Sequence, residues 1–256
     1  MKLATLKVNA SDKVAVLKSL VPPLLWKAAY RALVIKRIAN HYAYDPHYAP
    51  WLEPAFVARA EAVKGNTGLT PQSLYTLVHF LEQSLQIEGD VVECGVWRGG
   101  SAKVLRETLI DRGAAKTLYL FDSFAGMAEV DSESDRHDVG DFQDTSLDHV
   151  QAFVSGAAGE DPRGIAVFKP GWIPESFAGM DDVKLCFAHI DLDLHKSILD
   201  ALAFIYSRLS SGGAIVFDDY GFASCPGARK AVDDFFAGKP EKPFVLSTAQ
   251  AIVIKR

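Results

Sequence analysis

The feature that most constrains this chain is a regular alternation of short apolar runs and amphipathic stretches, which begins at Asp90. Each apolar run has the length of a strand, ends on or near Gly or a charged residue, and precedes a helical pattern. Such βα units are typical of a parallel sheet that helices cover on both faces. The expected strands are 90–95, 117–122, 165–169, 183–191 and 213–219.

The end of the chain predicts one exception to the parallel arrangement. Two apolar runs, 243–247 and 250–256, are separated by about two residues and indicate a β-hairpin. The sequence therefore predicts an α/β fold with a doubly wound, mostly parallel seven-stranded sheet. Residues 1–65 show helical patterns interrupted by prolines, so we expect an N-terminal helical extension or lid there, and a main domain over residues 66–256.

Charge and composition limit the possible partners. The net charge is −5, yet residues 1–42 carry eight Lys or Arg and only one Asp, which leaves an acidic remainder. An acidic body is not typical of a protein that binds nucleic acid. We interpret the basic start as a solvated helix, with contact to a membrane surface or to a second copy in a homo-oligomer as alternatives. A cytoplasmic location is expected, because neither a signal peptide nor a membrane-spanning run is visible.

The three cysteines are Cys94, Cys186 and Cys225. They are too few and too scattered for a disulfide framework or a zinc site. Cys94 and Cys186 lie inside apolar strand patterns, so we expect both to be buried free thiols.

The turn after the first strand, ECGVWRGGS, predicts a cofactor site. Ligands of doubly wound sheets bind beyond the carboxyl ends of the strands, and Gly95, Gly99 and Gly100 allow the backbone to approach a ligand closely. The spacing differs from the G-x-G-x-x-G of dinucleotide-binding proteins. Glu93 would attract the amino group of a cationic ligand and repel a pyrophosphate, which favours S-adenosylmethionine over NAD.

The second expected strand ends at Asp122, where an acid can accept hydrogen bonds from ribose hydroxyls. Glu93 and Asp122 could instead be helix-capping or loop acids. Their positions at two successive strand ends favour the cofactor interpretation.

Three further acids end the fourth and fifth expected strands. Asp191 ends the fourth, and Asp218 and Asp219 end the fifth. In the usual strand order of a doubly wound sheet, 3-2-1-4-5, these strands would be neighbours, so the three carboxylates are expected to converge. Crowded carboxylates repel one another unless a cation lies between them, and oxygen-only ligands suit Mg²⁺. A metal site there would lower the pKa of a bound substrate hydroxyl.

Asp193 and His195 follow Asp191 closely in the sequence. If this turn stays extended, both side chains face the same side as Asp191 and either could accept the proton of the substrate. Asp193 could instead be the N-cap of the next helix. His189, inside the apolar run, is interpreted as a core histidine.

Four segments in order resemble the macrocin O-methyltransferase family: GDVVECGVWRGGSAKVLRETL, FDSFAGM, HIDLDLHKSILDALAFIYSRLSSGGAIVFDDYG and GARKAVDDFF. The resemblance implies the class I, Rossmann-like fold of S-adenosylmethionine-dependent methyltransferases. It also implies methylation of a sugar hydroxyl of an antibiotic with S-adenosylmethionine and Mg²⁺.

By the same resemblance, Asp191, Asp218 and Asp219 hold the metal and Asp193 is the base. The residues expected at the cofactor are Glu93, Gly95, Val96, Gly99, Ser101, Asp122, Ser123 and Asp191. The family usually has Tyr at position 195 and Cys at position 228, and its first portion does not clearly match residues 1–60. The acidic loop AEVDSESDRHDVGDFQD is either a solvated loop or a lid that ligands order.

The leading hypothesis is a Mg²⁺-dependent O-methyltransferase that acts on a sugar of a natural product. A catechol or phenol O-methyltransferase is the alternative enzyme, because the same acids suit vicinal aromatic hydroxyls. A binding protein that kept the fold and lost catalysis is the alternative outside enzymes.

Overall fold

The computed structural model describes residues 49–127, 130, 133–156 and 164–256, together with Leu25. The chain divides into two units between Ala49 and Pro50. Apart from Leu25, the extension expected over residues 1–65 therefore lies outside the described residues as far as position 48, and the predicted domain boundary stays a prediction. In the described part of that range, a 3₁₀ turn at Pro50–Leu52 precedes helix α1, Pro54–Val63.

The unit from Pro50 to Arg256 alternates strands and helices as the sequence predicts. After α1, its elements are α2 (Pro71–Ser84), β1 (Asp90–Cys94), α3 (Gly100–Asp111), β2 (Leu118–Asp122), α4 (Leu147–Ser155), β3 (Ala166–Pro170), β4 (Leu185–Ile190), α5 (His195–Arg208), β5 (Leu209–Phe217), α6 (Pro226–Phe236), β6 (Phe244–Val245) and β7 (Ala251–Ile254). Short 3₁₀ turns also lie at Glu175–Phe177 and Asp219–Gly221. Among the helices that the structure describes, none combines the length and the apolar character needed to cross a membrane.

Seven strands form one sheet in the order β3-β2-β1-β4-β5-β7-β6. Strands β1 to β5 are parallel, whereas β7 is antiparallel to both β5 and β6. This confirms the predicted α/β sheet with its closing hairpin. Strand β6 is shorter than expected, because Leu246 donates a backbone hydrogen bond to Gln250 and accepts one from Ala249, which closes a turn there.

Apolar residues lie on both faces of the sheet because helices cover both sides. Helices α2, α3 and α4 pack on one face, and α5 and α6 pack on the other. Each fully buried leucine in these layers stabilises the fold by roughly 1.5–3 kcal/mol. Helix α2 begins at Pro71, which occupies the first turn, and the Thr70 hydroxyl caps it by accepting the Ser73 N–H at 3.1 Å.

The register of the strands brings their carboxyl ends to one edge of the sheet. Cys94 at the end of β1 lies opposite Ile190 of β4, and Ile190 lies opposite Phe217 of β5. The Asp191 N–H donates to the Cys94 carbonyl at 2.9 Å, and the Asp218 N–H donates to the Ile190 carbonyl at 3.0 Å. The residues that follow these three strands therefore begin at the same level.

Candidate active site

A cavity opens at this edge, beyond the carboxyl ends of the five parallel strands, where doubly wound sheets bind their ligands. Its wall is built from the loops that follow β1 to β5 and from the start of α2. Two partly exposed aromatic residues, Trp172 and Phe222, also line it. The predicted site residues in its wall are Gly95, Asp122, Ser123, Asp191, Asp193, Asp218 and Asp219.

Gly95 allows the ends of β1 and β4 to touch. Its φ angle is 87°, and a Cβ atom at this position would lie 1.7 Å from the carbonyl oxygen of Asp191. Any larger residue would separate the two strand ends. The close backbone approach that the sequence suggested for Gly95 is therefore made to the neighbouring strand.

Asp122 lies in the cavity wall, and its carboxylate also fixes the turn after β1. One oxygen, Oδ2, accepts the N–H groups of Val96 at 2.7 Å and Trp97 at 2.8 Å. The other oxygen accepts the N–H of Phe124 at 2.7 Å. These bonds hold the backbone of Trp97 at a φ of 46°, a conformation that residues other than glycine rarely adopt. Asp122 is thus a loop acid that still faces the cavity.

Glu93 is fully buried in β1 and does not line the cavity. Its Oε1 atom lies 2.8 Å from Nδ1 of His189, which is directly opposite on β4. Among the described residues, Oε2 of Glu93 and Nε2 of His189 have no hydrogen-bond partner. His189 is therefore a core histidine, as predicted, with one of its two nitrogens paired. A contact of Glu93 with a cofactor stays a prediction.

The other residues predicted at the cofactor take different places. Ser123 lies in the wall, where its hydroxyl donates to the Gly126 carbonyl at 2.7 Å. Val96 and Ser101 are buried. Gly99 is the left-handed N-cap of α3, and a Cβ atom there would lie 2.9 Å from side chains of α4. These three residues therefore do not line the cavity, and they support the turn after β1 from its buried side.

Four aspartates meet at the ends of β4 and β5. Carboxylate oxygens of Asp191, Asp193 and Asp219 lie within 4.8 Å of one another. Asp219 also accepts the backbone N–H of Asp193 at 2.9 Å. Asp218 lies beside them, and its Oδ1 accepts a hydrogen bond from the Gln250 side chain at 2.9 Å. The structure thus brings together all four aspartates, with Asp193 in the tightest group.

Burial and mutual repulsion disfavour ionisation of this cluster. Burial, followed by the neighbouring carboxylates, raises the pKa of Asp191 and of Asp219 well above the usual value. Burial also raises the pKa of Asp218, although His189 and Gln250 oppose the shift. A cation among these oxygens would reverse both effects. The donor set therefore fits a hard divalent ion such as Mg²⁺.

The turn after β4 is not extended. Asp193 has a φ of 58°, Leu194 is the N-cap, and α5 begins at His195. Asp193 therefore stays in the cavity wall and does not cap the helix. The His195 ring lies beside α6, with Nε2 at 3.6 Å from Oδ2 of Asp234, and the structure does not bring it into the cavity.

The acidic loop after β2 contacts this turn in its described part, residues 133–144. Asp135 Oδ1 accepts the N–H of His195 at 2.9 Å and so caps α5 from outside the helix. Gly227 makes room for Asp135, because a Cβ atom there would lie 1.9 Å from Oδ1. This part of the loop is therefore bonded to the body of the unit, which differs from a freely solvated loop.

The same loop carries His137, for which the sequence predicts no role. Its Nε2 atom lies 3.6 Å from Oδ1 of Asp193. The thiol of Cys225, at the N-cap of α6, donates to the same oxygen at 3.0 Å. Cys94 and Cys186 are buried and free, as predicted, and so is Cys225. A lone histidine in a long polar loop gives no spacing signal, so only the folded chain reveals this contact.

Two solved methyltransferase structures share this fold. The O-methyltransferase NovP superposes with a TM-score of 0.67 over 78% of this chain and 88% of that chain, at 22% identity. The calicheamicin methyltransferase CalS11 superposes with a TM-score of 0.59 over 82% of this chain and 94% of that chain, at 18% identity. The fold is that of the class I O-methyltransferases.

Sequence comparison identifies one family within this class, because the macrocin-O-methyltransferase (TylF) family matches residues 71–242 of the chain. The 8-demethyl-8-(2,3-dimethoxy-alpha-L-rhamnosyl)-tetracenomycin-C 4'-O-methyltransferase of Streptomyces olivaceus is 32% identical over 206 residues, 76% of each chain. The mycinamicin III 3''-O-methyltransferase of Micromonospora griseorubida is 30% identical over 225 residues, 79% of this chain and 86% of that one. The chain belongs to the macrocin O-methyltransferase family.

Proposed function

We propose that this protein is a Mg²⁺-dependent O-methyltransferase that transfers a methyl group from S-adenosylmethionine to a sugar hydroxyl of a glycosylated natural product. The observation that carries the proposal is the group of four aspartates in the cavity wall, with raised pKa values at three of them. Membership of an O-methyltransferase family supports the reaction type. Relatives named for a rhamnosyl tetracenomycin and for mycinamicin III support a sugar acceptor.

The β1–β2 side of the cavity is the proposed binding site of the methyl donor. Gly95, Asp122 and Ser123 line it, and Oδ1 of Asp122, which among the described residues accepts only the Phe124 N–H, keeps acceptor capacity for a ribose hydroxyl. Glu93 lies behind this wall, where its negative charge would favour a cationic ligand. S-adenosylmethionine supplies a methyl group on a positively charged sulfur, which leaves as a neutral thioether.

Asp191, Asp218 and Asp219 are the proposed metal ligands. Their carboxylates offer the hard oxygen donors that Mg²⁺ prefers, and their mutual repulsion is unfavourable without a cation. When bound, the cation would lower the pKa of a substrate hydroxyl and orient its oxygen. Gln250 holds Asp218 in place through its side-chain amide.

Asp193 is the proposed general base. Its backbone N–H bond to Asp219 and the thiol of Cys225 hold its carboxylate at the cavity wall. The proton of the substrate hydroxyl moves to this carboxylate, and the electron pair of the broken O–H bond is released for the new O–C bond. His195 was the alternative base in the sequence, but its ring contacts Asp234 outside the wall, which favours Asp193.

The aromatic residues of the cavity suit an acceptor with apolar faces. Trp172 and Phe222 are 50% and 42% exposed although both line the cavity. Exposed aromatic side chains beside a polar reaction centre can cover the apolar face of a sugar ring or of its aglycone. They support a bulky glycoside as the acceptor.

The test is incubation of the protein with labelled S-adenosylmethionine, Mg²⁺ and a panel of glycosides, catechols and simple phenols, read by mass spectrometry. We expect a mass gain of one methyl group on a glycoside, loss of activity with EDTA, and recovery with Mg²⁺. Methylation of catechols alone would support the alternative enzyme. Binding of the donor without transfer to any acceptor would support the non-catalytic alternative.

The cytoplasmic location and self-association expected from the sequence stay predictions.

A further inference from the structure

Three side chains of types that commonly bind metals come from distant parts of the sequence and meet beside the aspartate cluster. They are His137 in the loop after β2, Asp193 after β4, and Cys225 at the start of α6. One donor atom from each lies within 4.8 Å of the other two. The number and spacing of the cysteines in the sequence argue against a zinc site, whereas the fold brings together a mixed set of sulfur, nitrogen and oxygen donors.

The distances between the donor atoms match those around a tetrahedral zinc ion. Typical zinc–ligand bond lengths place sulfur, nitrogen and oxygen donors about 3.4–3.6 Å apart in such a site. Here His137 Nε2 lies 3.6 Å from Cys225 Sγ and 3.6 Å from Asp193 Oδ1. The Cys225–Asp193 distance is 3.0 Å, since a thiol hydrogen bond joins these atoms. An increase of about 0.5 Å in the Cys225–Asp193 distance would give all three pairs of donor atoms the spacing of a tetrahedral site.

A carboxylate orients the histidine as in natural zinc sites. His137 Nδ1 lies 3.1 Å from Oδ2 of Asp141, and Asp141 also accepts the N–H of Asp138 at 3.1 Å. The Asp138 N–H bond, followed by the His137 bond, lowers the pKa of Asp141, so that this carboxylate is ionised at neutral pH. It thereby favours the tautomer with the proton on Nδ1, which leaves the Nε2 lone pair directed to the cluster.

The donor types distinguish this cluster from the proposed magnesium site. Thiolate and imidazole select Zn²⁺ strongly over Mg²⁺, which prefers oxygen and keeps its water ligands. Burial, then the charges of Asp193 and Asp219, raises the pKa of the Cys225 thiol, so without a metal the thiol is protonated and donates to Asp193. Zinc binding would replace that proton, which passes to solvent.

We propose that His137, Asp193 and Cys225 form a zinc-binding site, and that a zinc ion there stops methyl transfer because it occupies the carboxylate of Asp193. The binding site stands on the geometry alone, whereas the inhibition rests on the proposed function of Asp193. The two parts are therefore measured separately.

Binding is tested by calorimetric titration of the full chain with Zn²⁺ in saturating Mg²⁺, which fills the oxygen-only cluster. We expect a site that Cys225→Ala and His137→Gln remove and that Asp141→Asn weakens by roughly 10–100-fold. His149→Gln is the matched control, because His149 lies on α4 near Asn66, away from the cluster. Equal zinc affinity in wild type, Cys225→Ala and His137→Gln would overturn the site.

A cobalt titration of the wild type provides a measurement that does not depend on whether the variants fold. Co²⁺ takes the same ligands, and a thiolate ligand adds a strong charge-transfer absorption. We expect this absorption together with the visible bands of a tetrahedral ion. Binding of cobalt without the thiolate absorption would contradict the assignment of Cys225.

Inhibition is tested once an acceptor is known, as methyl transfer in saturating Mg²⁺ with rising Zn²⁺. We expect zinc to abolish turnover of the wild type and of His149→Gln. The residual activity of Cys225→Ala should need a zinc concentration at least about 10-fold higher for the same inhibition. Zinc that binds with the thiolate absorption but leaves turnover unchanged would refute the inhibitory part. A protein with no methyltransferase activity would refute the proposed function while the binding result remained.

Discussion

At the β1–β2 side of the cavity the acids are bonded to the protein itself, whereas at the β4–β5 side they face one another. Asp122 accepts three backbone N–H groups, and Glu93 pairs with His189. Asp191 and Asp219, by contrast, have raised pKa values because burial and neighbouring carboxylates disfavour their charge. Asp122 therefore stabilises the fold through its hydrogen bonds, whereas the charged forms of Asp191 and Asp219, at the same edge of the sheet, destabilise it.

This difference distinguishes acids that stabilise the site through hydrogen bonds from acids whose charge only a bound cation would compensate. A buried carboxylate with backbone donors stabilises the fold, while carboxylates without a compensating charge are a cost to the fold that a cation can offset. Substitution of Asp by Asn, which keeps the shape and removes the charge, should therefore have different consequences on the two sides.

The largest expected effect is that of Asp191→Asn on catalysis. Removal of this charge from the proposed metal site should lower turnover by about 10³-fold, because the positive charge that activates the hydroxyl would be lost or misplaced. Initial rates at saturating donor and acceptor measure it. Asp200→Asn is the matched control, since Asp200 pairs with Lys196 on α5 away from the cavity. A wild-type rate for Asp191→Asn would remove the metal interpretation.

Asp193→Asn should lower turnover by about 10²–10³-fold through loss of the general base. Because the proposed metal ligands remain, Mg²⁺ should still raise the melting temperature of this variant, and Asp191→Asn should lose that shift. Thermal unfolding with and without Mg²⁺ compares the two. Loss of the shift in Asp193→Asn would make Asp193 a metal ligand, which its place in the tightest group of aspartates allows.

Asp122→Asn tests the side where the acids stabilise the fold. The amide NH₂ group cannot accept a hydrogen bond, so at least one of the backbone N–H groups that bond to Asp122 loses its partner. We expect the free energy of unfolding to fall by about 2 kcal/mol, measured by urea denaturation without Mg²⁺. An unchanged stability would mean that the three short contacts do not hold the turn after β1.

The smallest expected effect, of opposite sign, is that of Asp219→Asn on the metal-free protein. The folded pKa of Asp219 is raised, so its contribution to stability is fully present below the unfolded value and is lost as pH rises through the folded value. At neutral pH without metal, the variant should be more stable than the wild type by about 1 kcal/mol. Urea denaturation in EDTA at several pH values measures this.

The advantage of Asp219→Asn should shrink as pH falls toward the ordinary Asp value of 3.8, where both proteins carry an uncharged group. Saturating Mg²⁺ should reverse the order at neutral pH, because only the wild type gains the full binding energy. A variant that is less stable than the wild type in EDTA at neutral pH would contradict the repulsion inferred for this side.

Much of the fold is readable from local patterns. The parallel strands, the cap at Thr70 and the closing hairpin follow from apolar runs and from the residues that start and end them. The strand order follows from the resemblance to a known class. The meeting of Asp191, Asp218 and Asp219 at one edge then follows, since each aspartate comes directly after a strand end.

The direction in which a side chain points, and whether it lies in the cavity wall or beneath it, cannot be predicted from local sequence patterns. The sequence does not show that Glu93 lies beneath the cavity wall and pairs with His189 on the next strand, and its expected contact with a ligand stays a prediction. His195 is close to Asp191 in sequence, but the left-handed turn at Asp193 rotates it away. Residues near in sequence can point to opposite sides because one backbone angle changes their direction.

The sequence by itself determined the βα framework and the set of acids at its carboxyl edge, because strand length, apolar periodicity and chain position are local properties. Only the tertiary structure decided which of those acids the protein satisfies internally, and it alone brought His137 and Cys225 to Asp193. Hydrogen-bond partners and donor distances depend on how separate segments pack, and segments that are far apart in the chain leave no spacing from which such contacts can be read.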